Sequence, residues 1–283
     1  MENARIENLK RWAKQIRFDI LMMLNMARSG HLGGSLSAAD VVTALYFYKM
    51  SHNPKDPRWA DRDRFVLSKG HAAPVQYAAL ARTGYIPLKE LTTLRRLSSL
   101  LQGHPSTITP GVEVVTGSLG QGLSMANGMA LALRLDRKPG RVYVLLGDGE
   151  VQEGQIWEAA MSSSHYRLDN LCAILDYNGF QIDGAVTDIM NILPLKEKWQ
   201  AFGWNVLEID GHNMEEIVSA LDEAETVKGR PTMIIAKTIK GKGASIFEGK
   251  YQYHGVAPTD EELKKALNEM GVSPEGWPEK TIF

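Results

Sequence analysis

The sequence predicts an α/β protein built as a doubly wound parallel sheet with helices on both faces. Three observations lead to that class. Apolar runs of strand length alternate with stretches of helical periodicity along the chain. Residues 141–184 read strand, turn, helix, strand, turn, which is a βαβ unit with parallel strands. The 283 residues, 44% of them hydrophobic, allow one large α/β domain or two small ones, with a sizeable core.

The elements follow in order. Residues 6–28 carry an amphipathic helical pattern that stops at Ser29-Gly30. The segment His31-Leu32-Gly33-Gly34-Ser35-Leu36 reads as a helix-to-helix loop, and its paired glycines suggest close backbone approach. A second helix begins at Ser37. Residues 52–64 form a polar surface loop, and residues 64–67 a short strand that ends in Ser68-Lys69-Gly70-His71. Helical patterns cover 72–82, 88–101 and 124–134. The last is preceded by the glycine-rich stretch 116–122, which resembles a phosphate-cradling loop but matches neither the dinucleotide nor the P-loop spacing.

Residues 142–146 form the next strand, which stops at Gly147-Asp148-Gly149. After a helix through Ile156, Ala159 and Ala160, a strand over 171–175 runs into Asp176-Tyr177-Asn178-Gly179. Farther on come a helix over 192–202 and a strand over 204–209. Asn213 and Glu216 form a capping-box pattern that opens a helix to residue 225. A strand over 231–237 follows, then a Gly- and Lys-rich loop over 240–255 in which Lys240 and Lys242 read as solvated, with a diphosphate contact as the alternative. A last helix runs from 260 to 270.

Bulk properties narrow the function classes. The net charge of -1, with no basic block, does not point to nucleic acid or an anionic membrane surface. No apolar stretch is long enough to span a bilayer, and the amino terminus lacks the apolar core of a secretory signal. Cys172 is the only cysteine and lies in an expected buried strand, which suits a structural thiol and a cytoplasmic protein.

In a βαβ unit the turns after the two strands lie side by side at the carboxyl edge of the sheet. Asp148 and Asn178 can therefore converge, and their oxygens suit a hard cation such as Mg²⁺ or Ca²⁺, usually completed by phosphates. The helix start after Gly149 offers N–H groups to a phosphate. Ordinary turn chemistry, with an N-cap Asp and a tight-turn Asn, explains the same residues equally well. Four histidines, His31, His71, His104 and His254, each adjoin a glycine in expected loops around one sheet. Such residues pass protons near neutral pH and hydrogen-bond sugar hydroxyls.

Together these stretches resemble the transketolase family. Ser29-Gly30-His31, Ser68-Lys69-Gly70-His71, Gly103-His104-Pro105, the 116–122 loop, Gly147-Asp148-Gly149, Asp176-Tyr177-Asn178 with Ile182-Asp183-Gly184, and His254-Gly255 occur in transketolase order across residues 10–257. Departures are Ser118, where transketolases often carry proline, and the stretch 32–35.

The resemblance implies a thiamine-diphosphate-binding fold and thiamine diphosphate as cofactor, with Mg²⁺, or alternatively Ca²⁺ or Mn²⁺, held by Asp148, Asn178 and the carbonyl of Phe180. It implies cofactor contacts from His71, Gly117, Leu119, Asp148, Gly149, Asn178, Ile182 and His254. Catalytic contacts fall to His31, His104 and His254. Glu153, with Glu158, falls at a subunit interface that carries a carboxylate network.

It further implies that residues 1–283 form one diphosphate-binding domain, without the pyrimidine-binding and C-terminal domains that full transketolases carry. The expectation is the N-terminal subunit of a split transketolase. Such a subunit is inactive without a separately encoded C-terminal chain, assembles as α2β2, and acts on sugar phosphates of the pentose phosphate pathway. The alternatives are a deoxyxylulose-phosphate-synthase-like or 2-oxo-acid-dehydrogenase-α-like subunit, or a non-catalytic cofactor-binding subunit.

Overall fold

A computed structural model describes residues 2–283. The chain begins with helix α1 (Glu2–Ala27), then α2 (Leu32–Ser37), α3 (Ala39–Ala44), strand β1 (Arg64–Leu67) and α4 (Ala73–Thr83). Next come α5 (Gln121–Leu135), β2 (Val142–Gly147), α6 (Gly154–His165) and β3 (Leu171–Tyr177). The chain finishes with α7 (Val186–Ile189), α8 (Leu195–Ala201), β4 (Asn205–Asp210), α9 (Met214–Thr226), β5 (Thr232–Lys237) and α10 (Asp260–Met270).

The five strands form one parallel sheet in the order β1-β2-β3-β5-β4. Successive residues of a strand face opposite sides, and this divides the core in two. Tyr143, Leu145, Cys172, Ile174 and Ile234 pack under α1, α3, α4 and α9. Val142, Val144, Leu146, Leu171, Ala173 and Met233 pack under α5, α6 and α8. Strands buried on both faces read as unbroken apolar runs, which is why the sequence signals them so clearly. Cys172 is buried as expected, and burial pushes its thiol up to about 12.

Four local expectations are corrected. The segment after His31 is helix α2 rather than a loop, with His31 as its N-cap, and it is fully buried from Leu32 to Ser37. Its glycines are there because lysine side chains lie against them. A Cβ on Gly33 would stand 2.8 Å from Lys240 Cγ. Residues 88–101 are not one helix. A 3-10 turn (Leu88–Thr93) gives way to turns, with Arg95 and Ser98 at φ of 62° and 64°. Thr93 Oγ1 donates to Glu90 O at 2.8 Å, the local bonding by which Ser and Thr compete with helix.

The helix expected over 192–202 starts only at Leu195, because Pro194 occupies its N-cap. Asn213 does cap α9 through the N–H groups of Glu215 and Glu216. Glu216, however, accepts from the N–H of Asp210 at 2.8 Å, so the box is not closed. The reciprocal box forms instead at Thr259 and Glu262, ahead of α10.

Candidate functional site

The register of β2 on β3 pairs Gly147 with Asp176, so the turns after the two strands stand level at the carboxyl edge. The N–H of Gly179 reaches across to Asp148 Oδ2 at 2.6 Å, and the N–H of Gly149 holds Oδ1 at 2.9 Å. Asp148 is only 3% exposed. Burial, then the negative charge of Asp176, raises its carboxyl to about 6. The nearby Lys240 ammonium and the two backbone N–H groups offset this only in part. Asn178 Oδ1 lies in the same turn and accepts from Phe180 N at 3.2 Å. The carbonyl of Phe180 accepts from the Lys240 ammonium at 3.3 Å. Asp148, Asn178 and Phe180 thus line one cleft, as the sequence led us to expect.

Beneath that edge lies a buried polar layer the sequence did not announce. Lys69, just past β1, is 2% exposed and donates to Gly34 O at 2.8 Å and to Asp176. Asp176 also accepts from Ser37 Oγ at 2.6 Å and from Thr238 Oγ1. Burial drives its carboxyl up, but Lys69 together with Ser37 and Thr238 outweighs burial and the net shift is downward. Glu150 is 2% exposed and accepts from Ser68 Oγ and from the N–H groups of Gly120 and Gly147, both at 3.0 Å. One carboxylate so fastens the loops after β1 and β2 to the loop that opens α5. The signal for Asp176 was a carboxylate set inside an apolar strand. Glu150 and Lys69 gave none.

The four histidines converge. Ring centroids stand 5.1 Å apart for His31 and His71, 5.0 Å for His71 and His254, 5.6 Å for His31 and His254, and 6.3 Å for His31 and His104. Burial, then neighbouring cations, lowers all four. His31 falls to about 4 and His254 to about 3, with His71 well below its usual range and His104 below its own. They are neutral imidazoles at pH 7. Arg95 donates toward His31 Nδ1 at 3.5 Å and Lys240 to His254 Nδ1 at 2.9 Å, so both rings carry their proton on Nε2.

Lys240 itself corrects the reading of a solvated loop, since it is 1% exposed inside the cleft. Burial lowers its ammonium to about 8. Lys242, by contrast, is partly exposed and pairs with Glu248 at 3.3 Å. The cleft encloses about 360 Å³. Gly117, Leu119, Gly149 and Glu153 line it together with the residues above, and Ile182, 65% exposed, stands at its rim. Glu158 lies on the exposed side of α6 and does not reach it. No cluster of three or more His, Cys, Asp or Glu side chains fit for a metal exists among the described residues. Asp148, Asn178 and the Phe180 carbonyl offer oxygen atoms, the donor type that hard cations take.

The family model described as "Transketolase, thiamine diphosphate binding domain" matches residues 8–278. The chain is 50% identical over 264 residues to the 6-deoxy-6-sulfo-D-fructose transketolase subunit SqwG of Clostridium sp. (strain MSTE9), covering 93% of this chain and 96% of that one. It is 42% identical to an apulose-4-phosphate transketolase subunit of Phocaeicola vulgatus, with 94% of each chain covered. It is 44% identical to the transketolase of Homo sapiens, of which it spans 40%. Among solved structures, the transketolase of Campylobacter jejuni superposes with a TM-score of 0.90 at 39% identity, over 94% of this chain and 43% of that one.

Proposed function

The chain belongs to the transketolase family, whose thiamine-diphosphate-binding domain it matches, and we propose that it is the N-terminal subunit of a two-chain transketolase. The observation that carries this is the buried Asp148, its carboxyl raised despite Lys240, set beside four neutral histidines in one cleft. The subunit names of the relatives that match along nearly their whole length support the two-chain reading. The partner is then a separately encoded chain with the pyrimidine-binding domain, in an α2β2 assembly.

Asp148, Asn178 and the Phe180 carbonyl would hold Mg²⁺. Lys240, the N–H groups near Gly149, and His71 would face the diphosphate, with Gly117, Leu119 and Ile182 along the rest of the cofactor. When bound, thiamine diphosphate supplies a carbon nucleophile and an electron sink for carbon–carbon cleavage next to a ketose carbonyl. The protein's part is orientation and proton handling. Neutral His31, His104 and His254 would hold the donor sugar by its hydroxyls and take and return a hydroxyl proton. A positive charge near them would then stabilise the developing oxyanion. Glu153, at the open side of the cleft, would meet the partner chains.

The two-carbon unit passes to an aldose phosphate, in the class of reactions of the pentose phosphate pathway. A cytoplasmic setting agrees with the single buried cysteine. No helix among the described residues is long and apolar enough to cross a membrane. The test is transketolase activity of this chain alone and mixed with its C-terminal partner, with thiamine diphosphate and Mg²⁺. Activity is expected only in the mixture. Full turnover by this chain alone overturns the two-chain reading, and a chain with no Mg²⁺-dependent cofactor binding overturns the assigned ligands.

A further inference from the structure

A second polar cluster lies on the far side of the loop that carries Lys240, outside the cleft. Asp40 of α3 is 6% exposed and takes both guanidinium nitrogens of Arg17 from α1, Nη1 at 3.0 Å and Nη2 at 2.5 Å. Its Oδ2 also meets His212 Nδ1 at 2.7 Å. The ring's other nitrogen, Nε2, accepts the backbone N–H of Ile239 at 2.8 Å. A backbone N–H can only donate, so Nε2 is bare and the proton sits on Nδ1, given to Asp40. Arg17 completes the arrangement, because its Nε donates to the carbonyl of Lys242 at 3.0 Å.

A single carboxylate therefore reaches both ends of residues 239–242, one end through His212 and the other through Arg17. Lys240 lies between those two points. We propose that Asp40, Arg17 and His212 are positioning residues, a clamp that sets the segment 239–242 and so aims Lys240 into the cleft. A plain buried ion pair would need neither the imidazole nor the two backbone contacts. The proposal rests on the cofactor reading only for the purpose of Lys240, not for the clamp itself.

The test is hydrogen exchange of the full chain, read peptide by peptide, with inorganic pyrophosphate and Mg²⁺ as the binding probe. His212→Phe keeps the ring's bulk and loses both hydrogen bonds. It is expected to speed exchange in the peptide spanning 239–254 on the order of tenfold, and to weaken pyrophosphate by a similar factor, while β2 and β3 stay as protected as before. His212→Gln restores an acceptor for Ile239 and a donor for Asp40, and is expected to behave as the unaltered chain. If His212→Phe does not fold, Asp40→Asn, which withdraws the charge that fixes the tautomer, is read the same way. Unchanged exchange in 239–254, or equal acceleration in β2 and β3, overturns the clamp. An unaltered chain that does not bind Mg²⁺-pyrophosphate sinks the cofactor reading instead, and the exchange pattern still decides the clamp.

Discussion

The backbone N–H of Gly179 donates to Asp148 Oδ2 at 2.6 Å and ties the turn after β3 to the turn after β2. The carboxylate is thereby fixed before any cation arrives. Asp148→Asn keeps the shape and removes the charge. Mg²⁺-dependent affinity for thiamine diphosphate is expected to fall about 100-fold or more, by titration calorimetry. In the cation-free chain the relief of a buried charge is opposed by the loss of one of the two backbone bonds, since an amide nitrogen cannot accept from Gly149 or Gly179. A variant that binds as well as the unaltered chain would remove Asp148 from the ligand set.

The histidine cluster sets a pH dependence. His31 and His254 take up protons near 4 and 3 in the folded chain and at the ordinary 6.5 when unfolded. The unfolded chain binds more protons in between, so stability is present above pH 6.5 and is lost as pH falls toward 4. Denaturant titrations across that window should show the decline, and His254→Asn should flatten it. Their ring resonances should stay still between pH 8 and 5.5. Movement near pH 6.5 would contradict neutral rings.

Asp40 acts lower on the scale. Burial raises its carboxyl, but Arg17 and His212 together outweigh burial and bring it down to about 2 from 3.8. Its contribution, about 2 kcal/mol, is complete above pH 3.8 and disappears as pH falls through 2. Acid unfolding of Asp40→Asn should lack that component, and an identical acid limb would show that the pair does not stabilise the fold.

Two glycines in α5 should respond in opposite directions. A Cβ on Gly122 would stand 2.3 Å from Ser68 Oγ and 2.8 Å from Ser68 Cα. Gly122→Ala is expected to destabilise by about 1–3 kcal/mol. At Gly128 nothing lies within 4 Å, so Gly128→Ala should stabilise the isolated chain by up to about 1 kcal/mol. Thermal melts of the two variants decide it. Equal losses would mean that the crowding around Gly122 is not what holds α5 against the loop after β1.

What could be read beforehand depended on where each residue's partners lie. Asp148 and Asn178 stand at the ends of apolar strands, and parallel pairing brings such ends together, so their convergence was legible, although turn chemistry accounted for the same residues and only the family resemblance told the two apart. The four histidines advertised themselves by their adjoining glycines. Lys240 did not, because a lysine in a Gly- and Lys-rich loop looks solvated until Gly33, some two hundred residues earlier, is seen to make room for its stem. Glu150 was hidden for the same reason, since its donors are the end of its own strand and two loops distant in sequence. The stretch 88–101 was misread because helical periodicity is blind to Thr93 and Ser99 bonding each other at 2.7 Å.

The cleft draws its walls from segments spread between His31 and His254. Consequently no fragment of the chain owns the site. During synthesis the pocket cannot close until residue 254 has left the ribosome, and the last strand pairs only after long stretches have been brought together, which makes assembly slow. A ligand seated there touches loops from both halves of the chain at once. Its binding free energy is then spread over the whole chain and adds to global stability as its concentration rises. Cofactor supply would therefore govern how long each newly made chain survives proteolysis, besides how fast it works.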